Sequence, residues 1–200
     1  MHAFRGEKMA DKKPELSFDP PKKKRKRKSL FGRILNWLLL VFAAAVFGYA
    51  VITFGVQTVQ VVGPSMNTTL ADGETVLVNK LYGTLIQPKR YDVIAFKQID
   101  FGSYYEIKRV IGLPGETVQI KDGKVYINGE VLEDSPIEDK IRVAGLAERE
   151  IKLSKNEFFV LGDNVNNSED SRYSNVGNVA KSEILGKVFY RIKPEKGKVN

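Results

Sequence analysis

The sequence has no cysteine and one histidine in 200 residues. Without cysteine there is neither a disulfide framework nor a thiolate nucleophile. The histidine is His2, at the N-terminal end, which excludes a Ser-His-Asp triad and any His- or Cys-based zinc site from the body of the chain. No metal and no cofactor is expected. Charge is scarce in the middle and unbalanced at the start. Residues 1–33 hold 12 Lys and Arg against 4 Asp and Glu, whereas residues 34–200 hold 20 of each. The formal net charge of +8 therefore belongs to the N-terminal segment, and a basic, nucleic-acid-binding body is excluded.

What is present begins with a polar, proline-containing stretch, residues 1–29, closing in Pro21-Lys-Lys-Lys-Arg-Lys-Arg-Lys28. It reads as a disordered tail, and Met9 offers a second candidate start. In isolation the basic run resembles a nuclear-localisation or nucleic-acid patch. The next segment of the chain argues otherwise. Trp37–Val56 is 20 residues without a charge, about 30 Å of helix and enough to cross a hydrocarbon core. A buried core helix would show a polar face, and a cleaved signal peptide would have a shorter apolar region of about 7–15 residues. The cations before the run place residues 1–33 in the cytoplasm, a span over 34–56 and everything after it outside. The same cations would attract anionic head groups of the lipid bilayer.

Residues 57–200 read as β-rich. Gln57–Val62, Thr75–Val78, Tyr91–Phe96 and Tyr104–Ile111 are dense in β-branched or aromatic residues. In residues 118–132 the pairs Asp122-Gly123 and Asn128-Gly129 are two-residue turns that tolerate positive φ, which predicts two consecutive hairpins. Residues 133–157 are charged and aperiodic and read as a variable insertion or flap. Phe158–Leu161 and Ile184–Ile192 are the last predicted strands, with a short helical turn near 180–185.

Three clusters carry candidate chemistry. Ser65 follows Gly63 and Pro64, a stiffened turn able to hold a hydroxyl outward with backbone N–H groups nearby to receive an oxyanion. The plain alternative is an ordinary turn serine. With no usable histidine, lysine is the remaining base. A free lysine titrates at about 10.4 and a base near neutrality needs about 7–8, which requires apolar burial without a close anion. Lys108 stands between Ile107 and Val110-Ile111, a setting consistent with this; the alternative is an edge-strand lysine that discourages aggregation. The third cluster is Gly162-Asp163-Asn164-Val165-Asn166-Asn167-Ser168-Glu169-Asp170-Ser171-Arg172. It lacks the central glycine and terminal glutamate of an EF-hand loop. It reads either as a plain hydrogen-bonded turn or as a scaffold in which Asp170 pairs with Arg172 and the Ser168 hydroxyl lies near the lysine amine.

Taken together and in order, Gly63-Pro-Ser-Met66, Asp72-Gly-Glu-Thr-Val-Leu-Val-Asn-Lys-Leu81, Lys108-Arg-Val-Ile-Gly-Leu-Pro-Gly-Glu116 and Gly162-Asp-Asn with Ser168-x-Asp170-Ser-Arg172 resemble the signature boxes of bacterial type I signal peptidases of the Gram-positive kind. The resemblance covers roughly residues 57–192. It implies a mainly β fold, a signal-peptidase-like β-sheet catalytic domain behind one N-terminal transmembrane helix. It implies a membrane-bound serine endopeptidase that removes signal peptides from secreted preproteins after small residues. In that likeness Ser65 is the nucleophile and Lys108 the general base. Ser168 orients the lysine, Asp163, Asp170 and Arg172 support the site, and Met66 lines it. Val61, Val62, Gly63, Pro64, Tyr105, Glu106 and Ile107 flank an extended substrate strand. The implied partners are secretory preproteins, the bilayer and the secretion translocase, and the implied location is the bacterial cell membrane.

The sequence departs from the family pattern at Thr68, where proline is usual, and at Val165, where arginine is usual. Gly63 stands where some members carry a serine, so the Ser65 N–H becomes the expected oxyanion donor. From Val56 to Ser65 is nine residues, at most about 30 Å of extended chain, which keeps the serine near the outer leaflet. Two competing readings are a self-cleaving repressor-type Ser–Lys peptidase and a membrane-tethered β-module. The first wants a soluble DNA-binding domain instead of a span; the second gives no reason for Lys108 together with 162–172.

Overall fold

The computed structural model describes residues 30–97 and 104–199. The chain divides into two units, Met1–Ala43 and Ala44–Asn200, with the boundary inside helix α1, Leu30–Gly55. The basic tail expected over 1–33 lies outside the described residues as far as residue 29. From Trp37 onward the helix is apolar on all sides, and Leu30–Val51 is long and apolar enough, by length and composition, to cross a membrane. Such a helix has no polar face to turn to water. The helix stops at Gly55, and Val56, expected to end the span, instead opens the first strand.

In the second unit the strands are β1 Val56–Gln60, β2 Thr75–Asn79, β3 Val93–Phe96, β4 Glu106–Gly112, β5 Thr117–Lys121, β6 Lys124–Ile127 and β7 Glu130–Val131. They continue with β8 Ile151–Lys152, β9 Glu157–Leu161, β10 Val179–Ala180, β11 Ile184–Lys193 and β12 Gly197–Lys198. A one-turn helix α2, Leu81–Thr84, comes after β2. Among the described residues eight strands form an antiparallel sheet ordered β1-β2-β11-β3-β4-β9-β10, with β12 on β11; β7-β6-β5-β8 form a second. The fold is mainly β, as the sequence predicts.

The alternation of side chains along each strand sorts the apolar residues into three cores. Val59 and Val61 from β1 and its extension share one core with Val93, Ala95 and Ile107 of β3 and β4. These strands are far apart in the sheet order, so the sheet curls on itself and brings the outer edge of β1 toward β4. Ile94, Phe96, Val110, Phe158 and Val160 fill the opposite face. β3 is thus buried on both sides, which is why Val93-Ile-Ala-Phe96 reads as an unbroken apolar run. Each fully buried aliphatic or aromatic side chain contributes about 1.5–3 kcal/mol.

Both predicted hairpins form. Asp122, Gly123, Asn128 and Gly129 all have positive φ, at 54°, 78°, 51° and 86°, the geometry that matches the right-handed strand twist. Residues 133–157, expected to be a variable insertion or flap, are packed onto the body of the unit and not loose. Ile137, Ile141, Ala144, Ala147 and Leu153 pack into the third core with Val118 and Ile120, and β8 pairs with β5. Ile137, Ile141, Ala144 and Ala147 are three or four residues apart but are spread among charges and interrupted by Gly145. They fold around a single short turn at Gly145–Glu148, so their shared burial was not legible in the sequence.

Candidate active site

Ser65 is fixed by constraints on both sides. Beyond β1 the chain stays paired through Val61, whose N–H donates to the Glu74 carbonyl at 2.8 Å. It then reverses at Gly63, whose φ of 82° favours glycine. The Gly63 N–H donates to Asp72 Oδ1 at 2.8 Å. After the serine, Met66 and Leu70 are buried in the first core, and the Thr69 and Leu70 N–H groups both donate to the Met66 carbonyl. A tight turn thereby grips the core immediately beyond the hydroxyl. The loop at 162–164 clamps the same turn from outside. Asn164 donates its backbone N–H to the Ser65 carbonyl at 3.0 Å and its side-chain Nδ2 to the Pro64 carbonyl at 3.1 Å. Gly162 has to be glycine, because a Cβ there would collide with Ser65 O and Ser168 Oγ.

Lys108 comes to this hydroxyl from the middle of β4. Its Nζ lies 2.9 Å from Ser65 Oγ, and its side chain is 3% exposed. The same Nζ lies 2.8 Å from Glu106 Oε2. This corrects the expectation of a lysine with no close anion. Residues two apart on a strand share a face, so Glu106 points into the same groove as Lys108.

Ser168 was expected near the lysine amine, and it lines the same groove as Lys108. Its hydroxyl donates to the Glu169 carbonyl at 3.5 Å, while the lysine amine bonds to Ser65 and Glu106. Ser168 nevertheless shares a groove of about 410 Å³ with Val62, Gly63, Pro64, Ser65, Glu106 and Lys108. Met66 lies beneath this groove with no exposure and does not line it. Val61 and Ile107 turn into the first core, and Tyr105 packs against it. None of these three lines the groove, because alternation along the strand turns them to the opposite face. Thr68 is exposed on the turn, and Val165 is buried in the third core.

Two buried ion pairs hold the surrounding loops. Arg172 Nε and Nη2 donate to Asp170 at 2.7 and 2.9 Å, and the guanidinium reaches the carbonyls of Val143, Val165 and Ser168. Asp170 in turn accepts from the Gly162 N–H. Arg109 Nε and Nη2 donate to Asp163 at 2.7 Å each, and Nη1 to the Tyr91 carbonyl. Thr69 Oγ1 donates to the same Asp163 carboxylate, joining β4, the serine turn and the 162–164 loop. Sequence reasoning missed Arg109, Asp72, Thr69 and Asn164 as site residues. Arg109 carried a signal, since it neighbours Lys108 on the opposite face of the strand.

The groove lies between two strand edges. β9 pairs with β4 only from Arg109 onward, so residues 104–108 are open on the side away from β3. β1 ends the sheet, pairing with β2 alone. A larger hollow of about 540 Å³ beside the second sheet is lined by residues around Gly123 and Ile141 and holds neither Ser65 nor Lys108. Size does not locate the chemistry; the hydroxyl–amine contact does.

A family model described as "Signal peptidase, peptidase S26" matches residues 34–193. The chain is similar to Signal peptidase I P of Bacillus subtilis subsp. natto, 31% identical over 172 residues, covering 82% of this chain and 90% of that protein. It is 34% identical over 159 residues to Signal peptidase I T of Bacillus subtilis (strain 168), covering 76% and 81%. Among solved structures, a signal peptidase I from Enterococcus faecalis V583 is 32% identical with a TM-score of 0.42, covering 50% of this chain and 96% of that one.

Proposed function

The chain belongs to the peptidase S26 family of signal peptidases, and on that premise we propose that it removes signal peptides by a Ser65–Lys108 dyad. The observation that carries the reading is the 2.9 Å contact between Lys108 Nζ and Ser65 Oγ across 43 residues of sequence. Nucleophile and base are thus within hydrogen-bond reach, and no histidine stands among the described residues.

In the proposed reaction neutral Lys108 takes the Ser65 proton while Oγ attacks the scissile carbonyl. The Ser65 N–H serves in this reading as donor to the developing oxyanion. The lysine returns the proton to the leaving amine, and water, deprotonated by the same lysine, releases the acyl group. The substrate lies extended between the outer edge of β1 and the open edge at 104–108, adding its own strand. Small residues precede the cut in this reading, placed against the groove wall that Val62, Gly63 and Pro64 form.

The apolar helix is proposed as a single span in a bacterial cell membrane, with residues 1–33 cytoplasmic and residues 57–200 outside. The 12 cations in residues 1–33 support that orientation. Anchoring raises the effective concentration of enzyme at the membrane where preproteins emerge, and the bilayer and the secretion translocase are its proposed neighbours.

The test is cleavage of a signal-peptide-bearing preprotein by the detergent-solubilised full chain. Ser65→Ala and Lys108→Ala are each expected to lower kcat by at least about 1,000-fold, with circular dichroism unchanged. Near-full activity in Lys108→Ala would remove the lysine from the mechanism.

A further inference from the structure

We propose that Glu106 is a positioning residue that holds Lys108 in its protonated, resting form and so sets the pH at which the dyad switches on. The inference rests on the Ser65–Lys108 dyad being the reacting pair. Glu106 and Lys108 stand on one face of β4, with Oε2 and Nζ 2.8 Å apart. The lysine side chain is 3% exposed and the glutamate 24%, so the ammonium has lost most of its water while its partner keeps some. A buried cation without an anion is strongly disfavoured. Within the groove Glu106 supplies the compensating charge through a charge-assisted hydrogen bond.

The other anions near the groove are engaged elsewhere. Asp163 is bound by Arg109 and Asp170 by Arg172, both as buried pairs. Glu169, at the groove wall, accepts from Asn175. Tyr173 adds a phenol to the wall. On β3 the residue paired with Lys108 is Ile94, which has no charge. The carboxylate in contact with Nζ is that of Glu106.

The consequence for the reaction is specific. An ammonium donates to Ser65 Oγ, as the geometry here has it, and has no lone pair with which to accept the serine proton. Attack therefore waits until Nζ gives one proton to water, leaving the amine and its lone pair directed at Oγ. A neighbouring carboxylate opposes that loss, because an opposite charge in contact favours the charged form. Glu106 therefore shifts the onset of activity toward alkaline pH while keeping the amine aligned on Ser65 Oγ. Glutamine keeps a hydrogen-bond acceptor at this position and removes the charge. Aspartate keeps the charge and withdraws it by one methylene.

The experiment is kcat/KM against pH for peptide cleavage by the full chain in detergent, comparing wild type with Glu106→Gln and Glu106→Asp. The acid limb of Glu106→Gln is expected to lie at lower pH by about one unit or more, and that of Glu106→Asp between the two. A second measurement needs no turnover: the 15N shift of Lys108 Nζ across pH in a Ser65→Ala background, with and without Glu106→Gln. Nζ is expected to release its proton at lower pH when Gln is present. An unmoved limb and an unmoved Nζ transition overturn the inference while leaving the dyad intact. A uniform loss at every pH, not restored by aspartate, also overturns it, since that is the mark of a substrate contact or a packing role. A wild type that never cuts overturns the dyad reading and this one together.

Discussion

Asp163→Ala tests whether the nucleophile turn depends on a charge pair that touches neither Ser65 nor Lys108. The Asp163 side chain is 1% exposed and that of Arg109 4%, joined by two hydrogen bonds of 2.7 Å. Alanine removes both bonds and the Thr69 contact, and leaves the guanidinium buried with the Tyr91 carbonyl and no counter-charge at that carboxylate's place. Breaking a buried pair by deleting one partner costs about 3–5 kcal/mol. A domain of this size has about 5–15 kcal/mol in all, so the variant is expected to stay folded. With a slope of about 2–3 kcal/mol per M, the urea midpoint is expected to fall by about 1–2.5 M. Asp163 and Asn164 are adjacent, and Asn164 grips the Ser65 carbonyl, so kcat is expected to fall by about tenfold or more through misplacement of the hydroxyl. The control is Arg109→Met with Asp163→Leu, which removes both charges together and is expected to recover most of the lost stability. A midpoint shift below about 0.3 M, or a double variant as unstable as the single, would refute the reasoning.

The geometry carries two further expected outcomes. Asn164→Ala deletes only the side-chain bond to the Pro64 carbonyl, which is exposed; stability is expected to change by less than about 1 kcal/mol, while steady-state kinetics show kcat falling more than KM rises. Glu157 is held below its ordinary value of 4.5 chiefly by the Ser154 backbone N–H, then by the Ser154 and Asn178 side chains. Its folded form thus resists protonation. The contribution is present above the unfolded value and is lost as pH falls through the lower folded one. Urea midpoints taken above and below pH 4.5 are expected to converge for Glu157→Gln relative to wild type, by a small amount because the half-buried carboxylate is still screened by solvent.

The features legible in the sequence were those set by neighbouring residues. An uncharged run of 20 residues has no surface to present to water, whatever the rest of the chain does. Asp122-Gly123 and Asn128-Gly129 fix both hairpins through their own backbone preferences. Gly63, Ser65, Lys108 and the 162–172 cluster were recognisable because their residue types suit the chemistry at that order along the chain. The departures came from contacts that cross the sheet. Lys108 meets Ser65 because the sheet curls until β1 and β4 share a core, and no local propensity encodes that curl. Strand alternation sends Tyr105 and Ile107 inward and Glu106 onto the lysine; the period was in the sequence, but which face met the groove was not. The apolar residues of 133–157 are spread among charges, and only the core shared by the second sheet with β4 and β9 gives them a common place to be buried. Sequence decides what each segment is able to be. Packing decides which side chains meet, because burial, charge compensation and hydrogen-bond satisfaction are settled by partners far away along the chain.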